Sequence, residues 1–570
     1  MTQFSIRFQK QLACITIFVT GVTACAPSTR PVATAPTPAP VSAPTPVKAP
    51  PIAVAPPAAN ASGIREAPAN WQLLDDSVDH YPGISLLRAQ RELLTGKSPK
   101  QSVIVAVIDG GVDTAHTALR SRLWVNRKEI AGNKKDDDHN GYADDVHGWN
   151  FIGGADGRDV NYDTFELTRM FVRCAGTPQT VTERAMPAID AATCSKVSAA
   201  YARKKTEIGA NLKQMQMIQS LMDRAIPILK QAAGTDSLTP AKVAAINATT
   251  PQVVAARGLY LELAQQGGTP AAIEESVTEL GTQSKYGLDT TFDPRGIVGD
   301  NYADPSQRDY GNSDVTGPDA MHGTHVAGII AATPEAGSAV QGIASAALIM
   351  SVRAIPDGDE RDKDVANAIR YAVDNGARVI NMSFGKPYSP FKSAVDAAVK
   401  YADAHGVLMV LASGNDGASL DTASNFPTPM FTGGGKATDW IEVGASSWRG
   451  GDTLAVGFSN YSHDKVDVFA PGEDILSTMP GGGYQRLSGT SMAAPVVTGL
   501  AALIMSYYPE FSAAQVRQII LDSAKRYDAN SLLPGGQPGR TVPFASLSVT
   551  GGIVNAYNAL RLAQQRSSAH

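Results

Sequence analysis

Short runs in which every position is apolar alternate with stretches whose apolar positions recur every three or four residues. The runs fall at 103–108, 348–352, 379–382, 407–411 and 441–444. Strands apolar on both faces belong to parallel sheets covered by helices on each side. The stretches at 364–375 and 393–405 supply such helices. The predicted fold is therefore α/β, three layers around a mostly parallel sheet. In such sheets reactive groups gather just past the carboxyl ends of strands, where this chain places Asp109, Ser383 and Asn415.

The alternation breaks once. From about 154 to 294 the chain turns polar, with helix-like stretches at 199–231 and 250–266 and no strand-like run. We read 155–294 as a helical insertion in a body spanning 69–565, packed on the sheet rim, with three roles open to it: capping a cleft, restricting what enters it or holding the protein latent. A helix is also expected over 83–96. With 43% hydrophobic and 18% charged residues a large core is within reach, which excludes global disorder. The net charge of −5 lacks any block of like sign able to track a phosphate backbone, so nucleic acid is excluded as a partner.

Arg7 and Lys10 precede an apolar run, 12–24, too short to span a bilayer, which reads as an export signal over 1–24. The run ends in Val22-Thr23-Ala24-Cys25. That ending resembles a bacterial lipoprotein signal, which implies lipidation of Cys25, a membrane anchor without a spanning helix, and a place in the cell envelope. Ala26 rather than Asp next to it implies the outer membrane. Residues 25–68 then form a Pro/Ala-rich linker that prefers extended polyproline II, about 3.1 Å per residue, so it could reach roughly 130 Å. Of the four cysteines, Cys14 lies in the signal and Cys25 at its end, leaving Cys174 and Cys194. An exported chain with one such pair predicts a disulfide, the alternative being two free thiols.

Three segments carry chemistry. Val105-Ala106-Val107-Ile108-Asp109-Gly110-Gly111 ends a strand in a carboxylate and a glycine turn. His322-Gly323-Thr324-His325-Val326-Ala327-Gly328 opens a helix; its two histidines lack the intervening Glu of a zinc-peptidase motif. Ser488-Gly489-Thr490-Ser491-Met492-Ala493-Ala494-Pro495 starts an apolar helix, where the serine could be a mere N-cap. Together, in the order Asp, His, Ser, they resemble the signatures of the subtilase family of serine endopeptidases. The resemblance implies Ser491 as nucleophile, His322 as general base and acid, and Asp109 as the group orienting His322. Asn415, in Leu411-Ala412-Ser413-Gly414-Asn415-Asp416-Gly417, is implied as the oxyanion donor beside the Ser491 backbone N–H. Ser383, Phe384 and Gly385 resemble the edge that pairs with an extended peptide, so protein or peptide substrates are expected. The pocket for the residue before the scissile bond should lie between 383–385 and Ala412, Ser413 and Gly414. These carry no charge, favouring an uncharged side chain, with 425–427 as the far wall and a cis bond before Pro427.

Gly110 departs from the Ser or Thr usual after the family's Asp. No cofactor is needed for this chemistry. A structural calcium is the candidate metal, because Asp136, Asp138, Asn140 and Asp144 space oxygen ligands as in the first half of an EF-hand loop, although His147 replaces the closing Glu. The linker leaves little room for a folding pro-domain. The competing readings are a catalytically silent surface scaffold on the same fold, against which the intact Asp109, His322, Ser491 and Asn415 argue, and a binding lipoprotein, for which no binding module is recognisable outside this body.

Overall fold

In the computed structural model the described residues are 67–175, 189–265 and 268–568. Cys25, the export signal and nearly all of the linker lie outside them. Nine strands form the central sheet: β1 (Val103–Asp109), β2 (Gly148–Asn150), β3 (Ala347–Arg353), β4 (Val379–Met382), β5 (Leu408–Ala412), β6 (Trp440–Ser446), β7 (Val468–Pro471), β10 (Lys525–Arg526) and β13 (Gly552–Ile553). Their order is β10-β13-β7-β6-β5-β4-β1-β3-β2, parallel throughout except for the β10–β13 pair. Two hairpins stand apart, β8 (Ile475–Met479) with β9 (Gly483–Leu487), and β11 (Asn530–Leu532) with β12 (Thr541–Pro543).

The all-apolar strands are explained by two cores, one on each face of the sheet. One holds Val105, Val107, Val410 and Val443 with the buried faces of α1 (Leu86–Glu92), α6 (Met321–Ala331), α9 (Thr490–Tyr507), α10 (Ala513–Asp522) and α11 (Ala556–Ser567). The other holds Ala106, Ile108, Met350 and Leu411 with α7 (Asp362–Asp374) and α8 (Lys392–Ala404). Helix α9 is long and apolar enough to cross a bilayer, but 94% of its apolar window is buried, as befits a core helix. The expected helix over 83–96 is only the shorter α1, because the N–H groups of Ile84 and Ser85 donate to the carbonyls of Gln72 and Leu74 and the N-cap Ser85 is left-handed, so helical pairing begins only after it.

Within the polar stretch, α2 (Glu166–Cys174), α3 (Ala191–Ala233), α4 (Pro251–Gln265) and α5 (Pro270–Thr282) pack around a core of their own that includes Tyr201, Met215, Met222, Tyr260 and Leu280. Helix α3 begins eight residues before the expected start, where the Asp190 carboxylate caps the Thr193 N–H. Cys174 and Cys194 are joined in a disulfide linking α2 to α3.

Buried ion pairs root this helical unit in the body. Asp163 pairs with Arg361, Glu166 with Arg169 and Lys386, and Arg295 with Asp300 and Asp364.

Candidate active site

Asp109 is the last residue of β1, and the Gly110 N–H donates to its Oδ1 at 2.8 Å. Helix α6 starts at Met321, so His322 lies in its first turn. A Cβ on Gly323 would meet the Gly111 carbonyl oxygen at 2.1 Å and the Asp109 Cβ at 3.1 Å. Only glycine lets the helix start close onto the strand end. The closure sets His322 Nδ1 2.9 Å from both carboxylate oxygens of Asp109. His322 Nε2 has no hydrogen-bond partner among the described residues.

Ser491 is the second residue of α9; the N-cap is Gly489 and no side chain caps the helix, so the serine is not serving as a cap. Its hydroxyl donates to the Ser383 carbonyl at 3.0 Å, and the Ser383 hydroxyl donates back to the Ser491 carbonyl at 2.9 Å. The two segments are thus clamped together, and Ser491 Oγ is not hydrogen bonded to His322. Asp109, His322, Ser491 and Asn415 nonetheless line one cleft of about 930 Å³.

Asn415 Oδ1 accepts from both the backbone N–H and the hydroxyl of Thr490, each at 2.7 Å. That fixes the amide and leaves its Nδ2 to face elsewhere. Nδ2 and the Ser491 backbone nitrogen each lie 3.6 Å from the point a Cβ on Gly489 would occupy. The Ser491 N–H is a first-turn donor without an intrahelical acceptor, at the positive end of the α9 dipole. Two donors therefore lie near each other at the start of α9.

Phe384 and Gly385 line the cleft after β4. A Cβ on Gly385 would sit 2.2 Å from Asn425 Oδ1, and Asn425 Nδ2 donates to the Ala412 carbonyl at 3.0 Å. Asn425 thus bridges the two edges of the expected side-chain pocket, beside the cis Phe426–Pro427 bond. Ser413 departs from the expectation. It is wholly buried, and its hydroxyl donates to the Asn460 carbonyl at 3.2 Å, because the strand alternation at the end of β5 turns it into the body while Ala412 and Gly414 line the cleft.

The opposite wall comes from α3 and α5. The cleft is acidic: nine carboxyl side chains besides Asp109 line it, against Arg203, Lys204 and Arg353. Arg353 is committed to the body, donating to the carbonyls of Gly110 at 2.7 Å and Val160, which braces the turn after Asp109. Burial, with Asp319 adding, pushes Asp357 up to about 6. Burial also pushes Glu279 up to about 7, with Glu275 and Asp357 adding. Glu360 is pushed up to about 8 by burial against the pull of Lys386, with Asp359 adding to the rise. Sequence patterning missed Arg353, Lys386 and Glu360, whose partners are far away along the chain.

His325 is turned away from the cleft, its Nε2 3.0 Å from the carbonyls of Ile475 and Gln485 on the β8–β9 hairpin. Burial lowers it to about 3, so it is neutral.

The acidic loop also differs from expectation. Asp136 and Asp138 approach Glu129 closely enough for one cation to touch all three carboxylates. Asp144 does not join them: its Oδ1 accepts from the N–H groups of Gly132 and Asn133 and its Oδ2 from that of Lys134. Asn140 Oδ1 accepts from the Tyr142 N–H, and its Nδ2 donates to Asp145. Glu129 enters from before the loop, outside the EF-hand-like spacing. An all-oxygen trio suits a hard cation such as calcium.

Comparison with known proteins places the chain. It is 43% identical over 186 residues to the thermophilic serine proteinase of Bacillus sp. (strain AK1), covering 32% of this chain and 42% of that protein. It is 38% identical over 220 residues to subtilisin E of Bacillus subtilis (strain 168), covering 38% of this chain and 53% of the relative. Against subtilisin BL of Lederbergia lenta it is 37% identical over 217 residues, 38% of this chain and 74% of that one. The chain thus spans about half the length of the first two relatives. The subtilase family model matches residues 100–539, and with β1, α6 and α9 carrying its three signature segments the chain belongs to the subtilase family.

Proposed function

We propose that this protein is a serine endopeptidase that cleaves peptide bonds through Asp109, His322 and Ser491 and an acyl-enzyme. The observation that carries this reading is the His322 imidazole, held at Nδ1 by both oxygens of Asp109 while Nε2 is left without a partner in the cleft that Ser491 lines. Neutral His322 takes the Ser491 proton as the hydroxyl attacks the carbonyl, then returns it to the leaving amine. Asn415 Nδ2 and the Ser491 N–H receive the oxyanion. The Ser491 hydroxyl must first leave the Ser383 carbonyl by turning about its Cα–Cβ bond; catalytic hydrogen bonds commonly tighten only with substrate in place. The substrate lies extended against 383–385 with an uncharged side chain in the pocket bridged by Asn425.

A serine-directed fluorophosphonate decides between this reading and a silent scaffold. The full chain should label at Ser491, and Ser491→Ala should abolish both labelling and peptide hydrolysis. Absence of labelling in the unmutated, folded protein would sink the peptidase reading.

We also propose that Cys25 is lipidated and tethers the enzyme to a bacterial membrane, the outer membrane being favoured by Ala26. In cells fed an alkyne fatty acid the chain should take up label and sediment with membranes. Cys25→Ala should lose the label and leave the membrane fraction, whereas membrane retention by that variant would refute the anchor. A structural calcium, where bound, would be held by Glu129, Asp136 and Asp138, adding no step to catalysis.

A further inference from the structure

Of the three roles open to the helical unit, the structure favours one. The residues of α3 that line the cleft are Ala200, Arg203, Lys204, Glu207, Ile208 and Asn211, whose spacing puts them on one helix face. Cleft-lining residues of α5 recur in the same way at 271, 274, 278 and 282. From Ala200 to Asn211, at about 1.5 Å per residue, the α3 face is roughly 16 Å long. An extended peptide covers that length in about five residues, at about 3.3 Å each.

Both helices of this wall are pinned. Tyr201 of α3 donates its hydroxyl to the Leu288 carbonyl at 2.8 Å and stacks on Phe171 of α2, with ring centroids 4.1 Å apart, and the disulfide joins the same two helices. The chain leaving α5 is held where Thr168 of α2 donates to the Gly287 carbonyl at 2.7 Å, and there a Cβ on Gly287 would meet the Phe165 ring at 2.6 Å. Helix α2 is in turn tied to the body, because the Glu166 N–H donates to Asp359 at 2.8 Å and its carboxylate pairs with Lys386. The unit is a fixed wall and not a hinged lid. Nor does it shut the site: among the described residues none of the unit hydrogen bonds to the side chains of Ser491, His322 or Asn415, and the His322 side chain is 20% exposed. Arg203 and Glu207 are exposed and make no hydrogen bond or ion pair among the described residues, so the α3 face meets solvent instead of packing closed on the body.

We propose that the helical unit restricts the cleft to unfolded or extended polypeptide and excludes the loops of folded proteins. The proposal rests on the peptidase reading and deepens it, naming the physical state of the substrate. A strand lying between the 383–385 segment and this wall must stay extended for about five residues with protein on both sides. Connections in compact domains are mostly about 4–6 residues long and turn back on the body that carries them. Such a loop cannot present that length without driving its own domain into α3 or α5. An unfolded chain or a flexible tail has no bulk beside it to collide, and main-chain pairing along 383–385 offsets the entropy lost in straightening it. Exclusion by shape reads no side chain, so it acts in addition to the pocket bridged by Asn425.

The test sets one cleavable sequence of about six residues in a surface loop of a stable carrier domain and again in a flexible tail on that domain. A lysine within the sequence lets trypsin confirm that both settings are open to a protease. The full-length protein should cut the tail with a kcat/KM at least 10-fold above that for the loop, and a core substitution that unfolds the carrier should remove the difference. Arg203→Ala combined with Glu207→Ala, which trims the wall where no hydrogen bond or ion pair is lost, should narrow the gap at least 3-fold. Far-ultraviolet circular dichroism checks that this variant is folded, and the comparison of loop with tail needs no variant at all. A gap below 10-fold in the unmutated protein overturns the proposal, as does a gap that the trimmed, folded variant leaves unchanged. Absence of fluorophosphonate labelling would instead sink the peptidase reading, so the two failures are told apart.

Discussion

Asp109→Asn is expected to lower kcat by about 10⁴-fold while leaving the fold and the peptide KM nearly unchanged, the scale known for this change in other Asp-His-Ser triads. The reason lies in how the carboxylate is held. The Gly110 N–H donates to Asp109 Oδ1 at 2.8 Å and so fixes an oxygen at that position. In the amide the remaining position becomes an NH₂, 2.9 Å from His322 Nδ1 in the native geometry. An NH₂ there must donate, so Nδ1 becomes an acceptor and the ring proton moves to Nε2. With its proton on the side facing Ser491, His322 cannot take the serine proton, and the serine remains a weak nucleophile. Steady-state kinetics on an apolar-anchored peptide, with thermal unfolding as the control for the fold, checks this. A loss below about 10-fold would mean that the carboxylate does not set the tautomer.

Much of this arrangement is legible in the chain because its chemistry sits in contiguous segments. Val105–Asp109 reads as a strand since every residue is apolar until the carboxylate, and parallel burial demands that pattern. His322 and Ser491 each open a helix of small and apolar residues, which marks where α6 and α9 must begin. What escapes is whatever depends on distance along the chain. Lys386 meets Glu166 across 220 positions and Arg353 meets the Val160 carbonyl across 193, and neither pair leaves a periodic trace. Local spacing can also mislead. Asp144 has the spacing of a metal ligand, yet its oxygens lie against the 132–134 turn and outside the group formed by Asp136 and Asp138, which Glu129 joins from outside the motif. Ser413 is likewise adjacent to cleft residues in sequence and opposite to them in orientation.

Lys386→Met is expected to destabilise the protein by about 3–5 kcal/mol, the usual cost of removing one partner from a buried ion pair. Lys386 is 2% exposed, and it donates to Glu166 and the Glu360 carbonyl and forms an ion pair with Asp362, all of which the substitution removes. Methionine keeps most of the volume but leaves two buried carboxylates short of a cation. Burial alone would raise the Glu166 carboxyl, but the charges of Arg169 and Lys386 overturn this and hold it well below its ordinary value of 4.5. Burial alone would lower the Lys386 ammonium, but Asp362 and Glu166 raise it above its ordinary 10.5. A depressed carboxylate stabilises fully above its unfolded pKa and loses that contribution as pH falls through the folded one. A raised ammonium stabilises fully below its unfolded pKa and loses it as pH rises through the folded one. The penalty of Lys386→Met should therefore be flat between roughly pH 5 and 10 and shrink in acid, where Glu166, released from the lysine charge, protonates in the variant before it does in the native protein. Denaturant titrations at pH 7 and pH 3 measure this, and Lys386→Met with Glu166→Gln should recover part of the loss because the two groups are in contact. The same lysine joins the 383–385 segment, proposed to bind the peptide, to the root of the helical unit, so kcat/KM on peptides should fall more than the unfolding data alone explain. Were stability and peptide turnover both unchanged in Lys386→Met, the network could not be what holds the acidic wall over Ser491.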